Sequence, residues 1–175
     1  MARDDAGLTH SWPPLAAWGA GLIQIALGAG ILTAPDRGAH VAAIALVLVG
    51  AGSLVWGVLR LAGRALPGVG LGVALLGIVA SAFALFLDPV RTSVLAVVVA
   101  VALDTVIGVA VGTARRTRRP RTRRAPSPRA GVWGLLVGAI VVAGAVTPAL
   151  GATEAGRLAP VHGSHGIEFV GPHGH

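Results

Sequence analysis

The residue with the clearest chemical meaning is Asp104, the only ionisable side chain well inside one of the long apolar runs of this sequence. An ionised aspartate near the middle of a bilayer costs roughly 2.5 to 3.5 kcal/mol on insertion scales, and protonation or a polar partner relieves that cost. No Arg, Lys or His lies at comparable depth. Gln24 is therefore the best candidate partner, with Ser53, Ser81 and Thr105 as lesser ones.

Three interpretations of Asp104 remain open at this point. A neutral Asp104 hydrogen-bonded to Gln24 would hold helices together and do nothing more. An Asp104 that faces lipid would dock against a basic residue of another subunit. An Asp104 on a continuous polar path would take part in proton or ion transfer, although one carboxylate without relay partners is a weak signal for transport.

A second group of candidate residues consists of histidines near the C-terminus, separated by glycines and prolines. Neutral imidazoles bind Zn, Cu(II) and Ni, and three or four converging nitrogens would make a metal site for Cu or Zn. Their spacing matches no strict metal motif, so a weakly structured tail without metal is the alternative. His40 would be a weaker additional ligand on the same side of the membrane. The four tail residues are His162, His165, His173 and His175.

A run of arginines lies between two apolar stretches. It has no interleaved aromatic residues, so attraction to anionic lipid headgroups, about 1 kcal/mol per Arg near the surface, is favoured over nucleic-acid binding. The residues assigned to headgroup contact are Arg115, Arg116, Arg118, Arg119, Arg121, Arg123 and Arg124.

The sequence contains no cysteine, which excludes disulfides, thiolate metal sites and thiol nucleophiles. It shows no nucleophile beside a base, no paired carboxylates and no phosphate-binding glycine loop. We therefore expect no enzymatic activity and no catalytic residues.

Composition places these residues in a membrane protein. Of the 175 residues, 54% are apolar and only 12% are charged, whereas a soluble domain has roughly a quarter charged. A run of about 20 apolar residues crosses the hydrocarbon layer as a helix. The predicted fold is an all-α bundle of about five transmembrane helices with a flexible extracytoplasmic C-terminal tail. The predicted spans are residues 15–34, 41–61, 66–87, 92–113 and 131–151.

These spans divide the chain into regions and imply an orientation. With the N-terminus in the cytoplasm, eleven of the fourteen arginines lie inside, as the positive-inside rule requires. All four tryptophans then fall at the cytoplasmic interface, where indoles prefer to lie. The expected location is the plasma membrane. The regions are a cytoplasmic N-terminus (1–14), four transmembrane helices (15–113), an Arg-rich cytoplasmic loop (114–130), a fifth helix (131–151) and an outer tail (152–175).

Small residues predict where the helices pack, since close backbone approach drives association in lipid. On the fourth span, small residues and Asp104 recur every fourth position. On the fifth, two glycines form a small-xxx-small pair, and Gly68 and Gly72 do so on the third. The predicted packing residues on the fourth and fifth spans are Ala100, Gly108, Gly112, Gly134 and Gly138.

The segment 147–156, followed by Pro-Val-His-Gly-Ser-His-Gly at 160–166, resembles the ending of small uncharacterised actinobacterial integral membrane proteins with His-Gly tails. The resemblance covers about the last thirty residues well. It implies a high-GC Gram-positive source and a location in the membrane, and it brings with it no activity and no catalytic residues.

The sequence therefore favours a non-catalytic accessory or structural component of a cell-envelope membrane assembly, in contact with the bilayer and with other membrane subunits. The alternative is a copper- or zinc-handling protein or small ion transporter that uses the outer histidines and Asp104. A lipid-facing Asp104 favours a subunit contact, and an enclosed one favours helix joining or proton transfer.

Overall fold

The computed structural model describes residues 5–34, 37–64, 67–116 and 128–159, and these residues are almost entirely helical. The helices are α1 (Asp5–Ile31), α2 (Arg37–Leu61), α3 (Pro67–Leu87), α4 (Val94–Arg116), α5 (Pro128–Gly151) and the short α6 (Glu154–Arg157).

Five of these helices contain apolar spans of 20 to 25 residues. At 1.5 Å per residue, each is long enough to cross about 30 Å of hydrocarbon. The predicted all-α bundle of about five spans is confirmed, and the chain is a multi-pass membrane protein. The first helix differs from its predicted bounds: it begins before residue 15, runs through Pro13 and Pro14, and ends at Ile31.

Helices α1 to α4 form a square in which each helix packs against the next, with α1 and α3 on a diagonal. The square closes where α4 packs against α1. Helix α5 lies outside the square, against α1 and, less extensively, α4. Because α1 contacts every other helix, 67% of its span is buried, compared with 22–39% for the others. Helix α1 is the central element of the fold.

The two ends of the bundle differ in charge. The end where α2 and α4 terminate carries Arg60, Arg64, Arg115 and Arg116, and is called the arginine end below. Here Gly63 adopts a φ of +72°, and the Arg64 N–H donates to the Leu59 carbonyl at 2.9 Å, an arrangement that closes α2.

The opposite end holds the connection from α3 to α4. The Arg91 N–H donates to Asp88 Oδ1 at 3.1 Å, and the Arg91 guanidinium lies 3.6 Å from Asp88 Oδ2. The buried Thr92 hydroxyl donates to the Ala84 carbonyl at 3.2 Å. This turn is fixed by its own polar side chains, so α3 and α4 form a tight antiparallel hairpin.

Glycines bring α1 and α2 together. A Cβ on Gly21 would collide with the Gly50 carbonyl, and a Cβ on Gly50 would collide with the Gly21 carbonyl. One heptad further along α1, Gly28 lies equally close to the Ala43 carbonyl of α2. The two backbones are in direct contact, as small residues permit in lipid.

The first residues of the predicted tail are ordered as α6, which the sequence does not anticipate. The buried Thr153 hydroxyl accepts from the Gly156 N–H at 3.1 Å and donates to the Leu150 carbonyl at 2.7 Å. This capping starts a new helical turn directly after α5. Glu154 then packs on Gly30, where an added Cβ would lie 2.9 Å from Glu154 Cβ.

Candidate functional site: a buried polar pair between α1, α3 and α4

Asp104 lies on the face of α4 that points into the square, with no exposed surface. Gln24 of α1 is equally buried. The Gln24 Nε2 group donates a hydrogen bond of 2.8 Å to Asp104 Oδ2, which joins two helices across the interior. Gln24 is the partner that the sequence favours, and Asp104 does not face lipid.

Space for this pair comes from a glycine on the diagonal helix. A Cβ on Gly77 of α3 would overlap Asp104 Oδ2 and lie 2.5 Å from Gln24 Nε2. Three helices therefore meet at the Asp104–Gln24 pair. In the sequence, Gly77 is one glycine among 26, and only the contact distinguishes it.

One oxygen of each partner remains without a hydrogen bond. These atoms are Gln24 Oε1 and Asp104 Oδ1, both buried. Buried polar atoms are almost always paired, so each of these is a site where a donor or a cation would be stabilised. Asp104 also has no charged neighbour at its depth, because the remaining charged side chains that the structure describes lie at the two ends of the bundle.

Two serines lie close to the pair along the bundle axis. Ser53 of α2 follows Gly50 by one turn, and an ideal Cβ on Gly50 would lie 3.2 Å from Gln24 Cβ. Ser81 of α3 follows Gly77 by one turn. Both serines are fully buried, and neither hydroxyl has a hydrogen-bond partner.

Thr105, the remaining candidate partner, lies elsewhere. Its side chain is exposed on the lipid-facing side of α4, and its hydroxyl donates to the Val101 carbonyl at 2.7 Å. Adjacent residues on a helix point about 100° apart, so Thr105 cannot share the face of Asp104.

No protein-family model, curated protein or solved structure matches this chain. The resemblance of residues 147–166 to small actinobacterial membrane proteins stays a prediction, and its His-containing part, from residue 160 onward, lies outside the described residues.

The four-residue stripe predicted on α4 is only half correct. Ala100 and Asp104 are fully buried, but a Cβ on Gly108 or Gly112 would meet nothing within 4 Å. A spacing of four residues advances 400° around a helix, so the stripe drifts by about 40° at each step. Beyond Asp104 the buried line continues through Ile107 and Val111 instead.

The glycines of α5 and α3 also differ in their roles. Gly134 and Gly138 are buried, and Gly138 lies against Leu15 of α1. On α3 the predicted pair does not pack: Gly72 faces open space, and Gly68 is close only to the Arg115 guanidinium. The helix contacts of α3 pass through Gly77 and through Gly70, which lies against the ring of Trp56 on α2.

Trp56 therefore corrects part of the tryptophan prediction. It is 2% exposed and packs inside the bundle near the arginine end, with Arg60 stacked 5.6 Å from its ring centroid, instead of lying at the lipid interface. Its Nε1 group has no hydrogen-bond partner. Trp18 and Trp133 are exposed, as interfacial indoles would be.

Of the predicted metal ligands, the structure describes His40 alone. His40 is half-buried near the start of α2, and the four tail histidines lie outside the described residues. Across residues 5–34, 37–64, 67–116 and 128–159, no group of three or more His, Asp or Glu side chains is placed to hold a metal ion.

Of the arginines assigned to lipid headgroups, Arg115 and Arg116 are exposed at the end of α4. Arg118, Arg119, Arg121, Arg123 and Arg124 lie outside the described residues.

Proposed function

We propose that this chain is a non-catalytic structural or accessory component of a membrane assembly, built around a polar contact inside its own bundle. The observation that carries the proposal is the enclosure of Asp104 with Gln24 and Gly77. An aspartate that docked against another subunit would face lipid, and this one faces the interior. A buried hydrogen bond between helices fixes their rotation and depth in a solvent that offers little hydrophobic drive for association.

The proposed location is the plasma membrane, with the arginine end in the cytoplasm. Arg60, Arg64, Arg115 and Arg116 lie at that end, against Arg37, Arg91 and Arg157 at the opposite end. In the sequence, the connection between α4 and α5 contains further arginines between residues 117 and 127. Cytoplasmic loops carry such an excess, and anionic headgroups of the inner leaflet would be their partners.

Other subunits would bind on the lipid-facing surfaces. Helix α5 has only 22% of its span buried, and its outer face carries large apolar side chains such as Ile140, which is 63% exposed. Comparable positions on the other outer helices are Leu48, Val79 and Val98.

Site-specific photo-crosslinking in native membranes tests the proposal. A photoreactive amino acid is placed in turn at Leu48, Val79, Val98 and Ile140, each more than half exposed on a different helix. We expect a protein adduct of defined mass from one helix face and none from the opposite face. Adducts with lipid alone at all four positions would contradict an accessory role.

A further inference from the structure

Each of the four helices of the square carries a buried polar side chain with an oxygen atom that has no hydrogen-bond partner. These side chains are Ser53 on α2, Gln24 on α1, Ser81 on α3 and Asp104 on α4, and each has no exposed surface. One axial step of three or four helical residues is about 4.5 to 6 Å. Ser53 lies one such step from the Asp104–Gln24 pair towards the arginine end, and Ser81 lies one step towards the opposite end.

Polar groups continue this series in both directions. Trp56, with its unpartnered Nε1, is one turn beyond Ser53 and carries Arg60 on its ring. Beyond Ser81, the Ala84 carbonyl accepts from the buried Thr92 hydroxyl, next to Asp88. We name the series Ser53–Gln24/Asp104–Ser81–Thr92 the polar column. Trp56 lies at its arginine end and is not part of it, because an indole N–H can only donate a hydrogen bond.

A single added proton could give both unpaired oxygens, Gln24 Oε1 and Asp104 Oδ1, a hydrogen bond. A proton on Asp104 Oδ1 makes it a donor, and Gln24 Oε1 is an acceptor without a donor. A proton on Asp104 Oδ1 donated to Gln24 Oε1 would complete a cyclic acid–amide pair, of which the bond from Gln24 Nε2 to Asp104 Oδ2 is the other half. A carboxylic acid paired in this way also avoids the cost of a charge in the bilayer.

We propose that the Asp104–Gln24 pair is a proton-binding site and that the polar column carries protons to and from it across the membrane. Asp104 releases its Oδ1 proton to a water on one side, becomes a carboxylate that Gln24 Nε2 still stabilises, and takes up another proton from the other side. Serine hydroxyls can donate one hydrogen bond while accepting another, so Ser53 and Ser81 relay the proton through intervening water. A single water bridges about 5.5 Å between two oxygens.

Among the described residues, no cationic side chain lies near Asp104, so a proton is the cation that would neutralise its charge. Residues 12–31 of α1, the whole of α3 and residues 132–151 of α5 contain no ionisable side chain. On α2 the charged or titratable groups are Arg37, His40 and Arg60, and on α4 they are Arg115 and Arg116, all near the helix ends. No described cation therefore faces the carboxylate from any element packed against it.

The test is proton uptake into liposomes that contain the purified full chain and an internal pH-sensitive dye, driven by a potassium diffusion potential. We expect uptake above that of protein-free liposomes. Asp104→Asn should reduce it to the protein-free level, because an amide cannot exchange the proton. Ser53→Ala and Ser81→Ala should each slow it by about tenfold, the factor that corresponds to one lost hydrogen bond of ordinary strength.

The choice of Asp104→Asn separates this proposal from the structural role. Asparagine can still accept from Gln24 Nε2 and can donate its own amide N–H to Gln24 Oε1, so folding and helix joining should persist while proton uptake is lost. Thr105→Val, one residue away but exposed to lipid, is the matched control and should leave uptake unchanged.

Three results would overturn the proposal: no uptake above protein-free liposomes, uptake that survives Asp104→Asn, or uptake of radioactive sodium that depends on Asp104 in place of proton uptake. A normally folded Asp104→Asn variant that has lost uptake would support both roles. An Asp104→Asn variant that unfolds would count against the structural account given above. The proton proposal would then be tested by Ser53→Ala and Ser81→Ala, and unchanged uptake in both would overturn it.

Discussion

The Cα of Gly77 lies directly against the carboxylate of Asp104, so that an ideal Cβ on Gly77 would be 2.8 Å from Asp104 Cγ. No side chain other than hydrogen fits between α3 and the Asp104–Gln24 pair. The hydrogen bond between α1 and α4 and the close approach of α3 therefore depend on each other. A substitution at Gln24, Gly77 or Asp104 should disturb the packing of the other two residues.

Gly77→Ala should destabilise the bundle, because the added methyl group overlaps the carboxylate and the amide. Overpacking of this kind costs typically about 1–3 kcal/mol. Thermal denaturation in detergent micelles would show the lower midpoint. Gly72→Ala is the control on the same helix, since its added Cβ meets nothing within 4 Å. Equal midpoints for the two variants would contradict the geometry of the site.

Gln24→Leu and Asp104→Leu should each lower the free energy of unfolding. The double variant should lose less of it than the sum of the two single losses. Each single change leaves a buried polar partner without its hydrogen bond, whereas the double change leaves two apolar side chains in contact. We expect a coupling free energy of about 0.6–2 kcal/mol, in the range of interhelical hydrogen bonds in membranes. A double-mutant cycle of unfolding in micelles measures it, and strict additivity would show that the bond contributes nothing.

The proposed orientation predicts which loops a membrane-impermeant maleimide can reach. The chain contains no cysteine, so single cysteines at Arg64, Val90 and Leu158 label without background. Val90 is 90% exposed and Leu158 is 69% exposed, both at the opposite end. Cysteines at these two positions should label in intact cells, and the cysteine at Arg64 only after permeabilisation. The reverse pattern would invert the topology.

Gly30→Val should release α6 from α1, because a larger side chain occupies the space of Glu154. Hydrogen–deuterium exchange of residues 152–158 should become faster, while exchange in the spans stays unchanged. Gly151→Ala, at the end of α5 with nothing within 4 Å of its added Cβ, should leave the exchange as it is. Slow exchange in the Gly30→Val variant would mean that the α6 turn is held by its Thr153 cap alone.

The five spans follow from hydropathy and length, because lipid permits only helices or closed barrels at these positions. The partner of Asp104 could also be anticipated, since Gln24 was the strongest polar candidate at comparable depth. Both conclusions depend on where apolar and polar residues lie along the chain, and the sequence gives these positions directly.

The packing faces could not be obtained in the same way. A stripe of small residues at every fourth position suggested Gly108 and Gly112, yet the helix drifts off that line and buries Ile107 and Val111. The close approaches are instead Gly21 with Gly50 and Gly28 with Ala43 between α1 and α2, and Gly77 with the side chains of the Asp104–Gln24 pair. Which glycines contact another helix depends on how each helix is rotated about its axis and on which helices lie beside it. The packing of the whole bundle determines both. Gly21 and Gly28, seven residues apart on α1, are a sequence signal that could have indicated the contact with α2.

The central position of α1 has a consequence for how the protein is made. The helix that every other helix contacts leaves the ribosome before the helices that pack on it, and Gln24 precedes its partner by 80 positions. At about 5–20 residues per second, that separation corresponds to about 4–16 s of synthesis. During this interval the Gln24 amide is in the membrane without the carboxylate that will receive it. Gly50 of α2, which is made before α4, lies against Gln24, and a chain halted before α4 would leave the Gln24 amide without its acceptor.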